Sequence, residues 1–223
     1  MSVSSLAAWH STERRGGVRN AMVPSEAEID ERTLVSCSRN GDVAAFGKLY
    51  ALHEQVIYRY AYRLLEDADE ADDIRQETFV RAYQSLSRFR GDAAFRTYLL
   101  SICGNLCRDR QRQRQRRPEQ GYGLEAPESA RANAGAAMDA FAQKDPLHCL
   151  EQAARAATVW KAMRQLRSAE RAILILRHVE GLDLDEVAQI VGCSRVSAPV
   201  RLFRARCRFK HLYLSLLQEE GEI

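Results

Sequence analysis

No stretch of the 223-residue chain approaches the roughly 20 consecutive apolar residues of a membrane span, and its first residues, MSVSSLAAWHSTERRGG, lack the apolar core of a signal peptide. The expectation is a cytoplasmic protein, whether translation starts at Met1 or at Met22. Six cysteines, at 37, 103, 107, 149, 193 and 207, form no CxxC pair and no disulfide framework, so reduced thiols are expected. Cys103 and Cys107 would share one face of a helix, but tetrahedral zinc needs four ligands and no nearby histidine completes the set. The five histidines, at 10, 53, 148, 178 and 211, are scattered, and neither a glycine-rich phosphate loop nor a nucleophile–base pair is visible. No metal, no cofactor and no enzymatic chemistry are therefore expected. Aromatic residues make up only 8% and the net charge is only +3, so the whole-chain balance does not by itself imply nucleic acid.

What is present is apolar content of 46%, enough for real cores, and a marked segregation of charge. Residues 108–117, RDRQRQRQRR, hold six arginines and one aspartate, whereas residues 67–73, DADEADD, hold five carboxylates. Residues 1–30 are small, polar and unpatterned and are expected to form a disordered extension. From Glu31 apolar residues recur at spacings of three and four, among them Leu34, Phe46, Leu49, Ile57, Tyr60 and Leu64. Asn40, Gly41 and Asp42 split this pattern, with Asp42 placed to cap a second helix, and a third is expected to start near Asp69. A fourth carries Phe95, Leu99, Ile102 and Leu106 into the arginine run. Residues 118–149 are rich in Gly, Ala, Pro and Glu and read as a flexible, mildly acidic linker. Helical periodicity returns for residues 150–217, leaving a tail at 218–223. The fold class expected is all-α: two small helical domains, 31–117 and 150–217, on a tether.

The second of these contains LDLDEVAQIVGCSRVSAPVRLFRARCR, residues 182–208. Asp183 with Glu186 makes an Asp version of the capping box, Gly192 suits a tight turn, and Ser194 offers a second cap. The pattern is a helix-turn-helix whose second helix carries cations without a carboxylate, as a phosphate-lined groove requires. Pro199 disturbs it. With Ser194 as cap, its missing amide leaves the Arg195 carbonyl without a partner; with Ser197 as cap, it falls in the tolerant first turn. A distorted or delayed start to this helix is expected.

The stretch ADDIRQETFVRAY, residues 71–83, preceded by GDVAAFGKLYALH and followed by LSRFRGDAAFRTYLLSICGNLCRDRQR, resembles region 2 of bacterial sigma factors of the extracytoplasmic-function (ECF) type. Residues 166–209 resemble their region 4. The resemblance implies that Asp72, Asp73, Ile74, Gln76, Glu77 and Phe79 dock on core RNA polymerase. It also implies that Arg88, Phe89, Arg90, Arg96, Tyr98, Asn105, Arg108, Asp109 and Arg110 handle the minus-10 element, where aromatics stack bases and cations hold phosphates. Phe95 is read as core. Tyr98 stands where the family usually has tryptophan, and Arg167 where it often has proline. Ser194, Arg195, Ser197, Arg201, Arg204 and Arg206 are implied to meet the minus-35 element.

Core polymerase, promoter DNA and an anti-sigma factor, in this family often membrane-bound, are the implied partners, with no small-molecule substrate. Two other readings compete. A sigma mimic that only sequesters an anti-sigma factor should have lost its DNA-contacting cations, and both basic runs persist. A helix-turn-helix regulator independent of polymerase leaves the 71–83 segment unexplained.

Overall fold

The computed structural model describes residues 26–89, 91, 93–116 and 146–219. Among these are eight α-helices and no strand. In the first half, α1 spans Glu26–Arg39, α2 Val43–Leu65, α3 Ala68–Ser85 and α4 Phe95–Arg116, with a 3₁₀ turn at Leu86–Arg88. In the second, α5 spans Pro146–Arg164, α6 Ser168–Leu174, α7 Leu184–Val191 and α8 Ser197–Glu219, and a π-helical turn follows α6 at Ile175–Val179. The local signals explain the boundaries. Asp42 caps α2 by accepting from the Ala44 and Ala45 amides at 2.9 and 3.0 Å, after Gly41 has turned the chain at φ +92°. Asp67 caps α3 through the Glu70 amide at 2.9 Å, just before the expected start at Asp69.

Helices α2, α3 and α4 bury one face each: Leu49, Ile57 and Tyr60 from α2, Ala71, Ile74 and Phe79 from α3, Leu99, Leu100, Cys103 and Cys107 from α4. Cys103 and Cys107 are packing residues here, the Cys103 thiol lying 3.9 Å from the Ile57 carbonyl, and burial pushes its pKa well up. Ile173, Leu176, Val187, Ile190, Leu202 and Ala205 fill the core of the second half. The halves touch where α4 meets α7. A Cβ at Gly104 would stand 3.3 Å from the Tyr60 hydroxyl and 3.6 Å from Ile190 Cγ2, which gives a physical reason for glycine in mid-helix there.

Three expected boundaries shift. Residues 26–30 belong to α1 rather than to the N-terminal extension. Residues 146–149 belong to α5 rather than to the linker, with Pro146 at the helix start, where its missing amide does no harm. Residues 218 and 219 continue α8. The expectations for residues 1–25, 117–145 and 220–223 lie outside the described residues.

Helix α1 is pinned to α2 by Glu31 and the buried His53, 3.5 Å apart. The His53 imidazole at that distance holds the Glu31 carboxyl below its ordinary value of 4.5, against the opposing effect of burial. A lowered carboxylate pKa contributes stability that is present above the unfolded value and lost as pH falls through the folded one. Unfolding midpoints measured across the acidic range should therefore fall below about pH 4.5, and Glu31→Gln should flatten part of that slope.

Candidate polymerase and nucleic-acid interface

The outer face of α3 carries Asp72, Asp73, Gln76 and Glu77. Asp72 accepts from Arg75 at 2.6 Å and from the Gln76 amide at 2.7 Å; Arg75 also reaches Glu54 at 3.3 Å, and Glu77 pairs with Arg81 at 2.7 Å. Ile74 and Phe79, grouped with these by resemblance, are each only 3% exposed and belong to the core, Phe79 packing against Tyr50 at 4.5 Å between ring centroids. They have almost no surface to offer a partner. The exposed apolar positions on this helix are Val80 (50%) and Tyr83 (42%). Val80 stands four residues after Gln76 and seven after Asp73, so helical spacing alone could have found it.

Beyond α3, the 3₁₀ turn and the start of α4 form a cleft of about 460 Å³ whose lining includes Arg88, Phe89, Tyr98 and Asn105. The Phe89 and Tyr98 rings lie 4.7 Å apart at 36°, and Phe95, buried as expected, backs them at 5.8 and 5.9 Å. Ser85 and the Tyr98 hydroxyl are 2.6 Å apart, which fixes the tyrosine's edge. Arg81 and Ser85 from α3 and Gln189 from α7 also line the cleft; the sequence reading missed all three. Arg90 lies outside the described residues.

The remaining residues assigned to the minus-10 element are engaged within the protein. Arg96 pairs with Glu180, and Arg108 donates to the Val191 and Ile190 carbonyls at 2.7 and 3.1 Å and to the Asn105 side chain. Asp109 pairs with Arg112 at 3.5 Å and Arg110 with Glu70 at 3.7 Å. Arg114 reaches Asp67 at 3.2 Å and Glu70 at 2.8 Å. The basic run and the acidic run, well separated in sequence, thus meet in space.

In the second half the capping box forms as expected: Glu186 N–H donates to Asp183 at 2.8 Å and Asp183 N–H to Glu186 at 3.1 Å, and Gly192 ends α7 at φ +72°. The Ser194 hydroxyl accepts from the Ser197 amide at 3.2 Å, and its carbonyl accepts from Ala198 at 3.1 Å. Ser194 therefore caps, yet α8 is regular only from Ser197, because Pro199 cannot donate to Arg195. The delayed start is the expected one. Arg195 is exposed and pairs with Asp185 at 3.3 Å, Arg201 and Arg204 are exposed, and Arg206 donates to the His178 ring at 3.2 Å instead of facing outward alone. Burial, then the charges of Arg206 and Arg177, lower the His178 pKa, which keeps that ring a neutral acceptor. Pro199→Ala restores one helical hydrogen bond. It should stabilise the protein by about 1 kcal/mol in thermal unfolding, and the amide gained at residue 199 should be protected from exchange.

An acidic helix face, an aromatic cleft bordered by arginines and a capped helix-turn-helix, all on one helical scaffold, suit a nucleic-acid-binding factor with a protein partner. The comparisons agree on which. The family model for Sigma-70 region 2 matches residues 49–117, and that for Sigma-70, region 4 matches residues 156–208. The RNA polymerase sigma-H factor of Pseudomonas aeruginosa is 33% identical over 196 residues, covering 85% of this chain and 96% of that protein. The ECF RNA polymerase sigma-E factor of Escherichia coli (strain K12) is 28% identical over 179 residues, or 80% and 92% of the two chains. By fold, the chain resembles CnrH solved in complex with the cytosolic domain of CnrY (TM-score 0.58, 24% identity, covering 83% of this chain and 98% of that one). It also resembles the sigma factor RpoE of Bartonella quintana solved with the anti-sigma factor NepR (TM-score 0.55, 20% identity, 76% and 97%). The chain belongs to the ECF group of the sigma-70 family. It is a transcription initiation factor that binds core RNA polymerase and promoter DNA, and it is not an enzyme. Among the described residues, no helix is long and apolar enough to cross a membrane.

Proposed function

We propose a division of labour in which α3 docks the protein on core polymerase, the cleft lined by Phe89 and Tyr98 receives an unstacked minus-10 base, and the exposed start of α8 reads the minus-35 element. The cleft carries this reading. Two aromatic rings 4.7 Å apart, with Arg88 and Asn105 at the rim, supply a stacking surface, a phosphate partner and a base-edge partner at one place. On α3 the docking set is Asp72, Asp73, Gln76 and Glu77, with Val80 and Tyr83 as its apolar members in place of the buried Ile74 and Phe79. At the minus-35 element, Arg201 and Arg204 are the readiest cations, since Arg195 and Arg206 first have to leave Asp185 and His178.

On this reading the protein acts in the cytoplasm under the control of an anti-sigma factor. Solvent-facing apolar side chains support such a partner: Val80 and Tyr83 on α3, and Val200 and Phe203 on α8, which is 66% exposed at Phe203. Reconstitution with core polymerase tests the whole. Promoter-dependent transcripts from a genomic promoter library are expected, falling steeply as salt rises; transcription indistinguishable from core polymerase alone would refute it.

A further inference from the structure

The side chains turned outward at the start of α8 are not those of a reader that works by hydrogen bonds alone. Val196, in the turn before the helix, is 86% exposed, and Val200, four residues on, is 50% exposed. Pro199 is exposed between them, and Phe203 follows one turn after Val200, while Ala198, Leu202 and Ala205 are buried in the core. The polar side chains nearby are engaged. The Ser197 hydroxyl donates to the Ser194 carbonyl at 3.0 Å and accepts from the Ser194 hydroxyl at 3.0 Å, and Arg195 lies 3.3 Å from Asp185. The leading edge of the helix therefore presents carbon, with the exposed Arg201 and Arg204 next along the chain.

Charge and continuity decide what covers this carbon. Residues 195–210 hold six cations and no carboxylate, which suits phosphate and opposes a second copy of this chain, whose own cations would face these. The valines are continuous with the surface assigned above to the minus-35 element, where a recognition helix faces base edges in the major groove. There a G·C pair shows acceptors and an amine, whereas thymine adds a methyl group. A valine set over guanine or cytosine removes a polar edge from water and offers no hydrogen bond in return. Over thymine it buries one methyl group against another.

We propose that Val196 and Val200 are specificity-determining residues that read thymine methyl groups, so that the minus-35 element carries A·T pairs beneath them with the methyl turned toward the helix. The proposal rests on the assignment of α8 to that element and adds which base it selects and by what chemistry. Pro199 completes the apolar edge, since it brings ring carbon and neither a side-chain donor nor an amide. Arg201 and Arg204 hold the duplex in place, and the valines decide which sequence is tolerated under them.

The test uses the full-length protein with core polymerase and a genomic promoter that this holoenzyme transcribes, randomised across its minus-35 element and selected for binding. Each thymine of the selected duplex is then replaced by deoxyuridine, which lacks only the 5-methyl group. Methyl removal at one or two adjoining positions should weaken binding about three- to fourfold each, the scale of one buried methyl group. In Val196→Ser and Val200→Ser the ratio of thymine to deoxyuridine affinity should fall to about one at the position each residue covers. Deoxyuridine bound as tightly as thymine throughout, in an element whose scrambling abolishes binding, would overturn the methyl reading and leave the minus-35 assignment intact. Scrambling without effect would overturn that assignment as well. Methyl sensitivity that survives both substitutions would remove the role from the two valines. Because deoxyuridine interrogates the wild type, the result does not depend on a variant that folds.

Discussion

Replacing Phe89 and Tyr98 together by alanine should lower open-complex formation by roughly thirtyfold or more, because each base–aromatic stack is worth about 1–3 kcal/mol. The rings sit 4.7 Å apart at the mouth of the cleft, with Phe95 buried behind them, so the double truncation removes the stacking surface and leaves the core residue in place. Permanganate reactivity of melted thymines and transcript yield are the readouts. Core polymerase binding, measured in parallel, should not change, since the hydrogen bond from these rings to α3 goes to Ser85, outside the docking set. Tyr98→Phe isolates the hydroxyl: it keeps the ring, loses the 2.6 Å contact with Ser85, and should stay near wild type. If the double variant melts promoters normally, the aromatic cleft is not where a base is held.

The second large effect separates two neighbours on α3. Val80 is half exposed beside Gln76, whereas Ile74 is 3% exposed beneath the same helix. Val80→Asp puts an unpaired carboxylate into the apolar part of the docking face and should weaken core polymerase binding by roughly thirtyfold, the scale of an interface hot spot at about 2 kcal/mol. Thermal stability should hold. Ile74→Ala should do the reverse, costing about 2–5 kcal/mol of folding stability through the cavity it leaves. Polymerase affinity per folded molecule should change little. Were Ile74→Ala to weaken docking without lowering stability, the assignment of Ile74 to the core would be wrong.

The contrast between these residues shows what a linear pattern can carry. Helix starts were legible because capping is local: Asp42, Asp183 and Ser194 act on amides two or three residues away. Pro199 was legible for the same reason, since a missing amide disables one known carbonyl. The docking stripe was only partly legible. The acids declared a solvent-facing side, but which apolar residues of α3 faced inward depended on α2 and α4. Least legible were contacts that join distant segments. Nothing near Glu180 in the sequence announces Arg63 or Arg96, and nothing in the arginine run announces that Arg110 and Arg114 lie against Asp67 and Glu70. Each run read alone looks like a free surface of one sign.

That last pairing bears on how the protein behaves amid a whole genome. Arginines that already rest against carboxylates release fewer counterions when they meet a random duplex, so bulk DNA gains less from holding them. The protein should consequently linger little at non-promoter sites and remain available for capture by polymerase, with the acidic first turn of α3 and its cap acting as a built-in competitor to the phosphate backbone. Neutralising that turn, at Asp67 and Glu70, would be expected to make the protein a stickier and slower searcher.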